Sequence, residues 1–210
     1  MAPEDFKAPF IEQREIWRQA DDFRSRVWPS NEIPIGVLEI VEFELDLEVR
    51  PISRLKEDND IDALLLGDWK TIVVDQGEYM DQRYANRLRF SMAHELGHYV
   101  LHQAVFQQIP RGSVQEWIEF MRDLPEKEYS FLEYHASEFA GRFLVPPQAL
   151  CREFEAAILF AEQNGMPRGQ LQGDAHLQYL AKPVSRKLEV SSSVIERRLT
   201  KEKLWPLAVS

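Results

Sequence analysis

Along this chain apolar residues recur with two periods, and the places where the period changes mark its elements. Over residues 9–28, Ile11, Ile16, Trp17, Ala20, Phe23 and Val27 recur at helical spacing, which predicts a helix that Pro29-Ser30-Asn31 ends. Pro34 opens a shorter apolar segment with Val37, Leu38, Ile40, Val41 and Phe43, where periodicity alone does not separate helix from strand. Residues 47–52 alternate well enough for a strand. Residues 61–66 and 71–75 predict two more, with Gly67-Asp68-Trp69 as a hairpin turn between them. The front of the chain therefore reads as a helical lead-in followed by a small antiparallel sheet.

The helical period returns over residues 81–103, where Leu88, Met92, Ala93, Leu96, Val100 and Leu101 form an apolar flank. Gly97 costs such a helix about 1 kcal/mol relative to alanine, which predicts that another backbone packs close to it. Pro110-Arg111-Gly112 breaks the chain, and Ser113-x-x-Glu116 is a capping box for the next helix. The stripe Val114, Trp117, Ile118 and Met121 on that helix is most simply core packing; a cover over a cleft is the sharper alternative. A helix carrying Glu133 runs to about Phe143, and Pro146-Pro147 ends it. Residues 148–163 form another, ended by Asn164-Gly165. Residues 176–204 predict two helices around a turn at Val190-Ser191, a helix-turn-helix-like tail. The simpler expectation is that these two helices pack on the rest of the chain. The pattern predicts an α+β fold, mostly helical with a small antiparallel sheet. Residues 1–170 form its main domain and residues 171–210 a C-terminal helical segment.

The chemistry lies in the helix of residues 81–103. Each helical residue turns about 100°, so His94 and His98, four apart, share one face and can grip one metal ion. Glu95 lies one step round, where it can take a proton from a water at an open coordination position. Such a site needs a third protein ligand. Metzincins would place Gly and His at the positions of Leu101 and Ala104, so that class is excluded. His102 sits about 80° from His94 and a turn further on, and is expected to cap or pack at the helix end. Glu133 is the better third ligand. Its helical face carries Ala136, Ser137 and Ala140, small residues that let this helix approach the metal helix closely.

Two segments carry a resemblance. Arg89-Phe90-Ser91-Met92-Ala93-His94-Glu95-Leu96-Gly97-His98 is followed by Glu133-x-x-Ala136-Ser137-Glu138-Phe139-Ala140-Gly141-Arg142-Phe143-Leu144-Val145-Pro146. Together they resemble the ImmA/IrrE family of zinc metallopeptidases, whose segments typically read RFTLAHELGH and ExxA(N/D)xFAxxLLMP. The tail from Leu188 through Leu199 is also family-like. The resemblance implies a zincin-like peptidase domain with helix over residues 37–43. It implies Zn2+ held by His94, His98 and Glu133, and Glu95 as general base. It also implies a protein substrate, a DNA-binding helix-turn-helix repressor cut at a specific site. Ser137 departs from the pattern: Asn or Asp is usual there. Such a group normally orients a ligand, so weaker metal affinity is expected.

Composition narrows the partners. The formal net charge of -10 argues against sequence-independent nucleic-acid binding by the whole surface. From His176 to Trp205, seven basic residues face three acidic ones, so that tail is +4 and the preceding residues are -14. The basic tail leaves DNA contact open as a separate expectation. The single cysteine, Cys151, fits a reducing compartment and reads as a small buried apolar residue. No apolar run follows Met1-Ala2-Pro3-Glu4-Asp5, and no apolar stretch reaches bilayer length, so a cytoplasmic protein with no membrane span is expected. Two other readings compete with the peptidase: a metal-holding protein that sequesters a repressor, and a DNA-binding regulator. A pure binder has no use for Glu95. Tyr99, Tyr134, His135, His176 and Tyr179 are all candidate donors to a developing oxyanion, and the sequence does not rank them.

Overall fold

The computed structural model describes residues 3–30, 32–106 and 113–207. The chain break predicted at Pro110-Arg111-Gly112 lies outside them, as do Met1, Ala2 and Asn31. Two compact units form: one from residues 1–29 and 36–143, the other from residues 30–35 and 144–210.

The first unit holds His94, Glu95, His98 and Glu133. Helix α1 (Gln13–Val27) buries Ile16, Ala20 and Phe23, as its periodicity predicts. It is tied to a later helix, α8 (Glu126–Leu144), by apolar and charged contacts. Phe23 packs on Phe139 and Phe143, and Arg142 pairs with Asp21 at 2.5 Å. Residues 37–44 are helical: α2 (Val37–Glu39) continues into a π-helical turn over Ile40–Glu44.

The sheet has three strands in the order β1-β3-β2, with β1 (Glu48–Ile52), β2 (Ala63–Leu65) and β3 (Thr71–Asp75). It is mixed rather than wholly antiparallel. β2 and β3 form the expected hairpin, but β1 runs parallel to β3, with α3 (Leu55–Asn59) and β2 between them in the chain. The turn is closed by Asp68, whose carboxylate accepts from the Lys70 and Thr71 N–H groups and the Thr71 hydroxyl. β3 is buried at all five positions, which accords with its central place.

The ladder fixes which backbone groups face outward. The Leu66 N–H donates to Thr71 and the Asp75 N–H to Asp62, each at 2.9 Å. Asp62, Leu64 and Leu66 thus face β3, and Ala63 and Leu65 face away from it. On the other side the Glu48 N–H donates to Lys70, so Val49 and Pro51 face away from β3.

The end of β3 sets the start of the next helix. Asp75 accepts from the Lys56 N–H and from the Glu78 N–H, capping α4 (Gln76–Tyr79). Burial would raise this carboxyl, but the backbone donors outweigh it and hold it below its ordinary value. Helix α5 (Ala85–Leu101) begins soon after and packs on β2 and α1. Two further helices complete the unit: α6 (Gln103–Phe106) and α7 (Val114–Arg122), the latter opened by the predicted capping box.

In the second unit α9 (Pro147–Gln163) packs on α10 (Gly173–Leu188), which packs on α11 (Ser192–Lys201). The last two are joined by the expected turn at Val190-Ser191, and Ser191 caps α11. Cys151 is exposed, contrary to expectation. The buried stripe of α9 runs through Leu150, Phe154, Ile158 and Ala161, and Cys151 lies one helical step outside it. No helix among the described residues is long and apolar enough to cross a membrane.

Candidate active site

Helical geometry brings His94 and His98 together, with their Nε2 atoms 3.1 Å apart. Bringing in Glu133 takes tertiary packing. A Cβ added at Gly97 would stand 2.8 Å from the Ala136 Cα and 3.0 Å from its carbonyl oxygen, so only glycine lets α5 and α8 meet this closely. The backbone contact expected at Gly97 is therefore real, and its partner is the small-residue face of α8. Glu133 reaches both histidines, its carboxylate 3.2 Å from the His94 Nε2 and 3.4 Å from the His98 Nε2. The three side chains offer ligand atoms all within 4.8 Å of one another. Two imidazole nitrogens and a carboxylate converging this closely fit a divalent cation.

The electrostatics of this cluster reflect burial against pairing. Burial works to lower the His94 pKa, but the Glu133 and Glu95 carboxylates outweigh it and raise it. Burial works to raise Glu133, but its bonds to His94 and His98 hold it well below the usual carboxylate range. Glu95 is pushed up, chiefly by burial, with His98, His94 and the Leu65 N–H opposing. The Leu65 N–H, on the outward side of β2, donates to the Glu95 Oε2 at 2.7 Å.

Behind the cluster lies a second layer. The Ser137 hydroxyl is 3.3 Å from the His94 Nδ1, so the residue at the departing motif position does reach a histidine. His102 caps α5, as expected, and is fully buried; it contacts His98 and His135 rather than Glu133. Burial, reinforced by His98 and His135, drives its pKa down to about 2, so it is neutral. His135 is lowered by burial and by His98.

The cluster opens on a cavity of about 700 Å³. One wall is β2, with Ala63, Leu64 and Leu65; the other includes Trp117, Ile118 and Met121 of α7. The apolar stripe of α7 thus serves both expectations. Trp117 and Ile118 are buried as core packing requires, with Trp117 against Phe106, and they also line the cleft.

Of the five donors named from sequence, none lines this cavity. Tyr99 packs on Trp69, Tyr134 is exposed and His135 backs His102. His176 and Tyr179 belong to the second unit. A tyrosine that does line the cavity is Tyr129, a donor not among those five. It is 40% exposed, yet it hydrogen-bonds Glu133, and partial desolvation together with the Glu133 and Glu95 charges pushes its phenol up to about 12, so it keeps its proton. The signal was present: Tyr129 lies four residues before Glu133 on one helix face.

Residues 81–200, more than half of the chain, match the peptidase family M78 model, described as the IrrE N-terminal-like domain. The chain belongs to this family. The match begins just ahead of α5 and runs through α8 into α11, so it includes all three converging side chains. The M78 peptidases are metallopeptidases, which accords with the donor set, and the expected ImmA/IrrE resemblance holds. No curated protein and no solved structure matches the chain.

Proposed function

We propose that this M78 peptidase is a zinc-dependent endopeptidase that cuts a DNA-binding helix-turn-helix repressor at a specific site. The observation that carries the hydrolytic reading is the Glu95 carboxyl, buried beside the histidine–Glu133 cluster with one oxygen tied to the cleft wall. A protein that merely held metal would gain nothing from burying a carboxyl there.

In this reading His94, His98 and Glu133 hold Zn2+, which when bound polarises the scissile carbonyl and eases loss of a proton from water. Glu95 accepts the proton of the attacking water and delivers it to the leaving amine as the C–N bond breaks. Its high intrinsic affinity for a proton suits that shuttle. Tyr129, protonated at the cavity, donates to the carbonyl oxygen as negative charge develops. The outward groups of β2 that Glu95 does not take, those of Ala63 first, pair with an extended substrate backbone. β3 is central and has a strand on each side, so it offers no such groups. The machinery lies within residues 1–170, and residues 171–210 take no part in it. The negative charge of the chain before its tail favours a basic partner, as DNA-binding repressors usually are.

The test is incubation of the zinc-loaded protein with the repressor encoded beside it, read by mass spectrometry for one discrete cut. Glu95→Gln should retain one zinc per chain and lose cleavage by about a hundredfold to ten-thousandfold. Glu133→Ala should lose the metal. Full turnover by zinc-loaded Glu95→Gln removes Glu95 as the base, and a repressor left whole by the wild type removes the substrate assignment.

A further inference from the structure

His98 and His102 stand four apart at the end of α5, and His135 comes from α8. The His98 Nδ1 lies 3.0 Å from the His102 Nδ1, and the His102 Nε2 lies 3.3 Å from the His135 Nδ1. His102 and His135 are 0% and 1% exposed, so water does not replace these contacts. The backbone of His102 is fixed as well: its N–H donates to His98, and its carbonyl accepts from Val105 and Phe106.

Two ring nitrogens at hydrogen-bond distance need one hydrogen between them, neither none nor two. That rule makes the row directional. If the His98 Nε2 offers its lone pair to a cation, a neutral His98 carries its hydrogen on Nδ1. The Nδ1 of His102 must then be bare, so His102 carries its hydrogen on Nε2. That hydrogen points at His135, whose Nδ1 must be bare in turn. The opposite direction places a hydrogen on the His98 Nε2, between it and the His94 and Glu133 atoms, and blocks the ligand position.

We propose that His102 and His135 are positioning residues, a neutral hydrogen-bond row that fixes the tautomer and ring orientation in which His98 binds metal. This rests on the zinc reading of the same site. Histidine ligands usually donate their second N–H to a carboxylate, a backbone carbonyl or water. An imidazole acceptor orients the ring equally well but adds no negative charge. Glu133 then remains the sole anionic ligand, and the bound cation keeps more of its polarising power. The two ligand histidines are thus backed by different neutral groups, His94 by one hydroxyl and His98 by a two-ring row.

The test uses the full chain. Zinc affinity is measured by chelator competition for the wild type, His102→Leu and His102→Gln. His102→Leu should fill the space yet bind zinc about tenfold to a hundredfold more weakly. His102→Gln, which restores an acceptor, should recover most of that loss. Long-range proton–nitrogen NMR on the zinc-loaded wild type should place hydrogen on the His98 Nδ1 and the His102 Nε2. This second measurement decides the matter even where His102→Leu does not fold. Hydrogen on the His102 Nδ1, or unchanged affinity in a folded His102→Leu, overturns the row while leaving the peptidase reading intact. A wild type that takes up no zinc removes both.

Discussion

At one edge of the sheet β1 carries Glu48, Arg50 and Pro51; at the other β2 presents Ala63, Leu64 and Leu65. On β1 the outward position at residue 51 has no N–H to offer, and an exposed Glu48–Arg50 ion pair at 2.7 Å lies beside it. Proline and charge are the means by which edge strands avoid pairing with other chains. β2 has neither. It is short and apolar, and its outward side faces the cleft, where Glu95 takes the Leu65 N–H and Ala63 lines the cavity. One edge is closed against partners, and the other is kept open where chemistry can use it.

Substitutions that exchange the character of the two edges test this contrast. Ala63→Pro removes an outward N–H on β2 and leaves the bonds between β2 and β3 in place. Peptide turnover should fall about tenfold, the worth of one to two backbone hydrogen bonds, with zinc content unchanged. Val49→Pro, the matching change on β1, should leave turnover at the wild-type level. Equal losses from the two variants would move substrate pairing away from β2. A smaller effect is expected from Pro51→Val, which gives β1 back an outward donor. Sedimentation at high protein concentration should show more self-association than in the wild type, with turnover retained. Smallest of all, Arg50→Ala should change neither the unfolding midpoint nor turnover, because an exposed pair of this kind contributes little. A clear drop in the midpoint would mean that the β1 edge is held by its ion pair rather than merely guarded by it.

The sequence made different parts of this molecule legible for different reasons. Helical period alone places His94 and His98 on one face, since four residues make about one turn. The approach of Glu133 is not periodic information, and the clue to it was the small residues at Gly97, Ala136 and Ala140. The hairpin of β2 and β3 was readable from its turn. The parallel pairing of β1 with β3 was not, because it joins segments separated by α3 and β2. That both faces of β3 are covered was written in its own composition, the continuous apolar run Ile72-Val73-Val74. Its central place was not, since the edge strand β2 is an equally unbroken apolar run, Ala63-Leu64-Leu65. Cys151 shows the reverse limit. Its residue type favours burial, but its position on α9, one step outside the apolar stripe, exposes it. Tyr129 was missed although it shares a helix face with Glu133, because spacing along α8 does not say that this face meets a cavity closed by β2 and α7.

The bond from the Leu65 N–H to Glu95 couples a strand edge to a helix as one mechanical part. Any motion that draws β2 away from α5 must first stretch that bond, so strand and carboxylate travel together. A segment lying along β2 is then held at a constant offset from Glu95, counted in whole residues. A slip of one residue turns every side chain of the segment to its opposite face. In the proposed endopeptidase, register would thus act as a ruler, and a length measured along the bound segment would decide which of its bonds comes to rest beside the carboxylate.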